Sequence, residues 1–282
     1  MAAASTAMRK HWPEYLMEAL GLGLFMVSAC AFGTFLEHPS SPARLAIPHA
    51  DARRALMGLA MGLTAVALIY SPWGKRSGAH LNPAVTVAMT RLGHVQRWDA
   101  VFYVLAQFAG GLAGVALMAK LLGPLLADPA VNYVVTRPGP AGPGLALGAE
   151  VGMSFALMSL VIVCTTRARL LPWTGVLAGA MVALWITIEA PISGMSMNPA
   201  RSFATSAVAG QWMDWWVYFV APTLGMLLAV EVSRLLPSSR SGCAKLHHPV
   251  DVRCIFCGHP GVSPIPGTIP SLSTLTPVNP SS

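Results

Sequence analysis

The chain has 282 residues, of which 54% are hydrophobic and only 10% are charged. In soluble domains roughly a quarter of the residues are charged, so this composition excludes an ordinary soluble protein and favours one embedded in a membrane. The net charge of +7 comes from basic residues scattered over predicted loops, without the basic stripe and interleaved aromatic residues typical of nucleic-acid binding.

Six apolar runs are each close to the ~20 residues that a helix needs to cross the hydrocarbon core of a bilayer. They predict membrane-spanning helices at 14–36, 52–71, 97–123, 144–166, 172–191 and 212–236. Residues 1–13 are expected to form a cytoplasmic N-terminal segment. The Ser-, Pro- and Gly-rich residues 237–282 are predicted to be a disordered cytoplasmic tail.

Two short segments of the chain are near copies of each other. They begin at Ser77 and Ser193, 116 residues apart, and each ends in Asn-Pro-Ala. Asn is a strong helix N-cap and Pro fits the first turn of a helix, so a helix is expected to begin after each Asn. The segments 82–91 and 198–208 are too short to cross a bilayer and are predicted to be re-entrant half-helices.

A Pro- and Gly-rich loop at 137–144 divides the chain into two halves, about 14–136 and 144–236. Each half contains two spans, a half-helix and a third span. Because the number of spans per half is odd, the second half enters the membrane from the opposite face. The sequence therefore predicts an all-α membrane protein with six transmembrane helices and two re-entrant half-helices in an inverted repeat.

Basic residues indicate which face of the membrane the ends of the chain occupy. With six spans and both termini inside, twelve Lys and Arg residues fall on the cytoplasmic side and six on the outer side. Positive residues collect on the cytoplasmic side of membrane proteins, so both termini are expected to be cytoplasmic.

The paired motifs identify a family resemblance. The sequence Ser-Gly-Ala-His-Leu-Asn-Pro-Ala-Val-Thr at 77–86 and Asn-Pro-Ala-Arg-Ser-Phe at 198–203, together with Glu18, Glu150 and Gln107, resembles the aquaporin (major intrinsic protein) family, bacterial type, over about 14–236. The resemblance implies a passive water channel without a cofactor, in a bacterial inner membrane, and a homotetramer with one pore per subunit. It assigns the pore motifs to Asn82, Pro83, Ala84, Asn198, Pro199 and Ala200.

The resemblance also implies a selectivity constriction. Counting from the motifs places it at Met61, Ile186, Met195 and Arg201, with Gly62 as an alternative to Met61. Strict water channels of the family usually carry Phe and His at the first two positions, and this apolar set departs from that pattern. Water is still the first expectation, because Ser202 stands where glycerol-conducting relatives usually carry Asp. Glycerol, hydrogen peroxide, ammonia and neutral metalloid hydroxides are the alternatives.

Glu18 and Glu150 are carboxylates with apolar neighbours within predicted spans. They could relay protons, but we expect them to accept backbone hydrogen bonds from the loops that lead into the half-helices. The resemblance assigns His80 and Gln107 to the same polar support.

The tail carries residue types that bind metals. Cys254 and Cys257 have a known zinc half-site spacing, and His247 and His248 stand nearby, as do Cys243 and His259. A single Cys-x-x-Cys with loosely placed histidines is weak evidence, so no metal is predicted and these residues stay weak candidates.

Two other function classes fit the sequence less well than a channel. A secondary transporter also uses inverted repeats with broken helices, but ion coupling would call for a carboxylate beside the central motifs, which offer Asn. An enzyme is not predicted, because the sequence has no nucleophile–base pair, no His-Glu-x-x-His and no phosphate-binding loop.

Overall fold

The structure is a computed structural model that describes residues 2–235 and 242–261. Two 3₁₀ turns, Asn132–Val134 and Leu171–Trp173, lie in connecting loops. In chain order the α-helices are α1 (Ala2–Glu37), α2 (Pro42–Ala46), α3 (Ala50–Tyr70), α4 (Pro72–Ser77), α5 (Pro83–Arg91), α6 (Arg97–Leu122), α7 (Pro124–Ala127), α8 (Pro143–Thr165), α9 (Thr174–Ser193), α10 (Pro199–Ala209) and α11 (Val217–Arg234).

Six of these helices, α1, α3, α6, α8, α9 and α11, are long and apolar enough to cross a membrane. They correspond to the six predicted spans, and α5 and α10 correspond to the two predicted half-helices. The chain is therefore an all-α, multi-pass membrane protein.

Two predicted helix ends were misplaced. The first helix begins at Ala2 rather than at 14, because residues 2–12 are rich in helix formers such as Ala, Met, Lys and Arg. The last long helix begins at Val217 rather than at 212. Asp214 has a φ of 53°, a left-handed conformation that a helix does not contain.

The packing of the long helices follows the two halves of the chain. The first and third long helices of each half pack together, as α1 with α6 and as α8 with α11, while α3 packs on α9 across the halves. Each half-helix also crosses over, since α5 packs against α11 and α10 against α6. This exchange brings the two half-helices together inside the bundle.

Glycines allow the closest approaches between these helices. A Cβ atom on Gly110 would lie 2.0 Å from the carbonyl oxygen of Ala19, and one on Gly62 would lie 2.6 Å from that of Gly179. Small residues at such crossings let the backbones of membrane helices touch. The crossings of α1 with α6 and of α3 with α9 therefore depend on glycine.

The two half-helices begin in the same way. Asn82 Oδ1 accepts the backbone N–H of Ala84 at 2.9 Å. Asn198 Oδ1 accepts those of Ala200 at 3.1 Å and Arg201 at 3.2 Å. Each Asn thus satisfies N–H groups that the first turn of a helix leaves unpaired.

The structure differs from the predicted disorder of the tail over residues 242–261. Ala244, Lys245, Leu246 and Cys254 are buried there, and the backbone N–H of Leu246 donates to the carbonyl of Gly78 at 3.1 Å. Composition did not reveal this packing, because the segment has no long apolar run and no helical or strand periodicity. The predicted tail residues 237–241 and 262–282 lie outside the described residues.

Candidate functional site

One cavity of about 540 Å³ has the asparagine of each Asn-Pro-Ala motif in its wall. Glu37 and Arg54 line one end of it, which we call the opposite mouth, and Leu246 of the tail lines the other end, which we call the tail-side mouth. Between them Asn82 and Asn198 both face the cavity. The cavity therefore follows the long axis of the bundle through the point where the half-helices meet.

The two motifs hold each other through reciprocal hydrogen bonds. Asn82 Nδ2 donates to the Met197 carbonyl at 2.7 Å, and Asn198 Nδ2 donates to the Leu81 carbonyl at 2.8 Å. A primary amide has two N–H groups. Each asparagine thus keeps a second N–H donor at the cavity wall. The reciprocal hydrogen bond fixes the position of that amide group.

Glu18 supports the loop before the first half-helix. Its Oε1 accepts the Ser77 hydroxyl at 2.7 Å and the His80 backbone N–H at 3.1 Å. Its Oε2 accepts the Leu81 backbone N–H at 2.6 Å and the Gln107 amide at 2.8 Å. Four donors around one buried carboxylate fix the path of the chain into Asn82.

Glu150 supports the loop before the second half-helix. Its Oε1 accepts the Ser193 hydroxyl at 2.8 Å and the Ser196 backbone N–H at 2.6 Å, and its Oε2 accepts the Met197 backbone N–H at 2.7 Å. The Ser193 hydroxyl also lies 2.9 Å from Glu189 Oε2. Glu189 is a second buried carboxylate that the sequence analysis did not single out.

Two tyrosines complete the same support. Neither was predicted from the sequence to have this role. Tyr103 donates to the Ser77 carbonyl at 2.7 Å, and Tyr218 donates to the Ser193 carbonyl at 2.5 Å. The pair stands 115 residues apart, close to the 116 between the serines. That near-equal offset is the signal by which the tyrosines could have been found.

His80 and Gln107 lie on the tail side of the first motif. His80 Nδ1 is 3.1 Å from the Thr86 hydroxyl, and its Nε2 is 2.9 Å from the Ala244 carbonyl in the tail. Gln107 Nε2 also reaches Thr86 Oγ1 at 3.1 Å. His80 therefore joins the half-helix to the tail segment.

The four residues assigned to the constriction all line the cavity. Met61 packs in an apolar cluster with Ile186, and Met195 packs in a second cluster that Ile186 also borders. Gly62, the alternative to Met61, instead faces the backbone of α9 at Gly179. The structure thus brings Met61, Ile186, Met195 and Arg201 into one cavity wall.

Arg201 is the polar member of this set. It lies in the first turn of α10, directly after Ala200. Its Nη1 atom is buried and has no hydrogen-bond partner among the described residues. A guanidinium with an unused N–H in a cavity wall can donate to a passing molecule and repels cations.

The structure brings four metal-binding side chains of the tail together and places His247 outside that group. The ligand atoms of Cys243, His248, Cys254 and Cys257 all lie within 4.8 Å of one another. His247 is not part of this group, because its ring packs edge-on against Tyr70 with the centroids 4.9 Å apart.

Comparisons with known proteins agree with the architecture of this site. Residues 5–232 match the family model described as "Major intrinsic protein". Aquaporin-1 of Canis lupus familiaris is 31% identical over 82% of this chain and 84% of its own length. Aquaporin-2 of Ovis aries is 37% identical over 61% of this chain, and the match spans only 62% of its own length.

A solved structure has the same fold. The X-ray structure of the aquaglyceroporin from Plasmodium falciparum superimposes with a TM-score of 0.66. The match covers 79% of this chain and 95% of that one at 20% identity.

Proposed function

Because the chain belongs to the major intrinsic protein family, we propose that it is a passive transmembrane channel for water, with small neutral solutes as a second class of permeant. The observation that carries the proposal is the cavity wall in which Asn82, Asn198 and Arg201 meet. The curated relatives similar to this chain are named aquaporins, which supports the same activity.

Hydrogen bonding explains how water would cross the centre. A molecule that leaves bulk water loses partners, and an unreplaced hydrogen bond costs several kcal/mol in an apolar medium. At the narrow point where the half-helices meet, the free N–H groups of Asn82 and Asn198 replace the hydrogen-bond donors that the molecule had in bulk water. Water oxygen accepts from both, so its crossing barrier stays low.

Electrostatics explains why ions and protons would not cross. The N-termini of α5 and α10 converge at the asparagines, and each helix N-terminus carries about half a positive charge. Arg201 adds a full charge in the same wall. A cation or hydronium ion therefore meets unfavourable potential twice, whereas a neutral molecule does not.

A second candidate is a broader channel that also conducts glycerol, hydrogen peroxide, ammonia or neutral metalloid hydroxides. The observation that favours it is the apolar constriction, in which Met61, Ile186 and Met195 offer no hydrogen-bonding ring. Methionine side chains are flexible and adapt to different shapes. Water remains the first candidate permeant, because two long methionine side chains narrow the cavity at this wall.

The proposal extends to the membrane and the assembly. Six crossings put both ends of the channel domain on one face, and the excess of basic residues on that face supports cytoplasmic termini. The family resemblance supports a bacterial inner membrane and a homotetramer. The cavity lies within a single chain, so each subunit would carry its own pore.

Stopped-flow light scattering on proteoliposomes tests the function. We expect osmotic water flow well above that of empty liposomes, with a low activation energy and no proton leak. Glycerol swelling of the same vesicles decides between the two candidates. Neither water nor glycerol flow above the lipid background would contradict the proposal.

A matched pair of variants tests the constriction. Ile186→His adds a polar ring to the wall and should lower glycerol entry relative to water flow. Ile188→His, on the outward face of α9 where Ile188 is 53% exposed, should leave the ratio unchanged. An equal shift in both variants would argue against a constriction at Ile186.

A further inference from the structure

Four side chains of the tail have the geometry of an unassigned metal site. The sulfurs of Cys243 and Cys254 are 3.4 Å apart, and His248 Nε2 is 3.2 Å from the sulfur of Cys257. Around a tetrahedral zinc ion, two thiolate sulfurs lie about 3.8 Å apart and a sulfur and an imidazole nitrogen about 3.6 Å. The observed separations, none above 4.8 Å, need only small shifts to enclose an ion.

The local chain is built as two short ligand loops. Four residues separate Cys243 from His248, and two separate Cys254 from Cys257. The second loop is closed by a hydrogen bond from the Cys254 backbone N–H to the His259 carbonyl at 2.8 Å. The Cys-x-x-Cys pair has the ligand spacing of structural zinc sites, and exposed Cys257 leaves a path for the ion to enter.

Lys245 supplies an independent sign of negative charge at this place. The side chain is fully buried, and its Nζ donates to the Arg253 carbonyl at 2.7 Å. Across the ranges 2–235 and 242–261 it forms no ion pair with a carboxylate. Buried ammonium groups are costly unless paired. Zinc held by three thiolates and one neutral imidazole carries one net negative charge, which would compensate Lys245.

We propose that Cys243, His248, Cys254 and Cys257 bind one Zn²⁺ ion, and that the ion holds residues 242–261 as a cap on the tail-side mouth of the pore. Three sulfurs and one imidazole in a tetrahedral set select zinc over the hard cations, which prefer oxygen ligands. In the proposed orientation the site faces the cytoplasm, where thiols stay reduced and available.

The cap is joined to the loop that carries the first motif. The Leu246 backbone N–H donates to the Gly78 carbonyl, and the Ala244 carbonyl lies 2.9 Å from His80 Nε2. Phe256, between the last two cysteines, stacks on the His80 ring at 5.6 Å and 8°. The metal site and the Asn82 loop are therefore mechanically connected.

Leu246 is the residue that narrows the tail-side mouth. It packs in one apolar cluster with five residues that also line the cavity: Ile69, Ala79, Val85, Val161 and Ala178. A leucine inserted among these apolar side chains narrows the passage and adds no hydrogen-bonding group for water at this end. This part of the inference rests on the proposed channel function, whereas the metal site does not.

Metal content tests the site on the full-length protein, purified without a polyhistidine tag and equilibrated with Zn²⁺. Elemental analysis should find one zinc per chain in the wild type and almost none in Cys254→Ser/Cys257→Ser. Cys30→Ser/Cys164→Ser, which changes two cysteines within the spans, should keep its zinc. His248→Ala should weaken binding and the neighbouring His247→Ala should not.

Several results would overturn the site. They are a wild type that takes up no zinc, a Cys243–Cys254 disulfide in the protein as isolated from cells, or equal zinc loss in the two cysteine double variants. Substitution by Co²⁺ adds a spectroscopic check. Tetrahedral thiolate coordination should give intense cobalt absorption in the wild type and not in Cys254→Ser/Cys257→Ser.

Water permeability tests the cap. Removal of zinc with a membrane-permeant chelator should raise the permeability of wild-type proteoliposomes several-fold. Leu246→Gly should be open with zinc still bound, and chelation should not open it further. Water flow above the lipid background that neither zinc removal nor Leu246→Gly changes, in a protein that binds zinc as expected, would overturn the cap and leave the metal site standing. Elemental analysis could find zinc in the protein while neither Leu246→Gly nor the chelator-treated wild type conducts water above the lipid background. In that case the proposed channel function is what fails.

Discussion

The two loops that carry the motifs are built alike to the level of single hydrogen bonds. In each a serine hydroxyl and two backbone N–H groups bind one buried glutamate, Glu18 or Glu150. In each the same serine hydroxyl accepts a backbone N–H two residues on, at 3.1 Å in both loops. In each a tyrosine donates to the serine carbonyl.

Two of the positions at which the copies differ concern the ends of the cavity. The residue after Asn-Pro-Ala is Val85 in the first half and Arg201 in the second, and the residue two before Asn is His80 in the first and Ser196 in the second. Val85 packs in the apolar cluster that includes Leu246, whereas Arg201 places a guanidinium group in the cavity wall. The scaffold is therefore duplicated, and single side chains give the two ends of the cavity different chemistry.

The largest effect should come from breaking the duplicated scaffold. Glu18→Ala and Glu150→Ala each leave at least two buried backbone N–H groups without a partner, at a cost of about 1–3 kcal/mol per group. Both variants should therefore unfold at much lower temperature than the wild type in detergent, with similar shifts. Glu231→Ala, which removes an exposed carboxylate from α11, is the matched control and should melt near the wild type. If the two variants melt like this control, the glutamates do not organise the loops.

A second effect should be equal in the two halves. Asn82→Ala and Asn198→Ala each remove one reciprocal bond, one helix cap and one donor to the cavity. Losing a hydrogen bond in the transit path costs about 1 kcal/mol, which corresponds to roughly fivefold slower water flow. Stopped-flow measurements normalised to the protein content of the vesicles should give similar losses. A large loss at only one asparagine would show that the motifs are not equivalent.

Sequence periodicity and motif spacing predicted the six spans, both half-helices and their caps, because these depend on local hydrophobicity and on Asn-Pro chemistry. Backbone hydrogen bonds from these loops to Glu18 and Glu150 were expected, but the contributions of Tyr103 and Glu189 were not. Tyr103 reaches the first loop from α6, and Glu189 lies only four residues before Ser193. A single tyrosine or glutamate in a span has no local signature. The order of residues 242–261 was missed for a related reason. It depends on contacts to Gly78 and His80 and on four ligands brought together from a segment without periodicity.

A third effect should appear in one half only. Arg201→Val gives the second half the type of residue that the first half has at Val85, and it removes the fixed charge from the cavity wall. The wall loses a donor and its repulsion of cations, so glycerol and ammonium entry should rise by roughly an order of magnitude, on the scale of ~1.4 kcal/mol. Swelling assays with each solute measure this change.

Arg54→Val is the matched control for Arg201→Val. It also removes a positive charge from a cavity-lining residue, but at the opposite mouth, where Arg54 pairs with Asp51 at 2.7 Å. Its effect on ammonium entry should be smaller, because charges near solvent are screened. Equal effects of the two variants would mean that net charge along the cavity, rather than the position of Arg201, sets the selectivity.

The smallest effect should separate His80 from its counterpart Ser196. His80→Ala removes the contact to the Ala244 carbonyl and the stacking on Phe256. Ser196→Ala removes a hydroxyl that lies 2.5 Å from Ser202 Oγ and forms no hydrogen bond with the described tail residues 242–261. If the cap is held by zinc, a loss of about 1 kcal/mol of contact raises the detached fraction roughly fivefold. Zinc should then transfer to a chromophoric chelator faster from His80→Ala than from the wild type, and at the wild-type rate from Ser196→Ala. Equal rates for all three proteins would show that the tail is not coupled to the first motif, and the functional difference between the two loops would then rest on Arg201 alone.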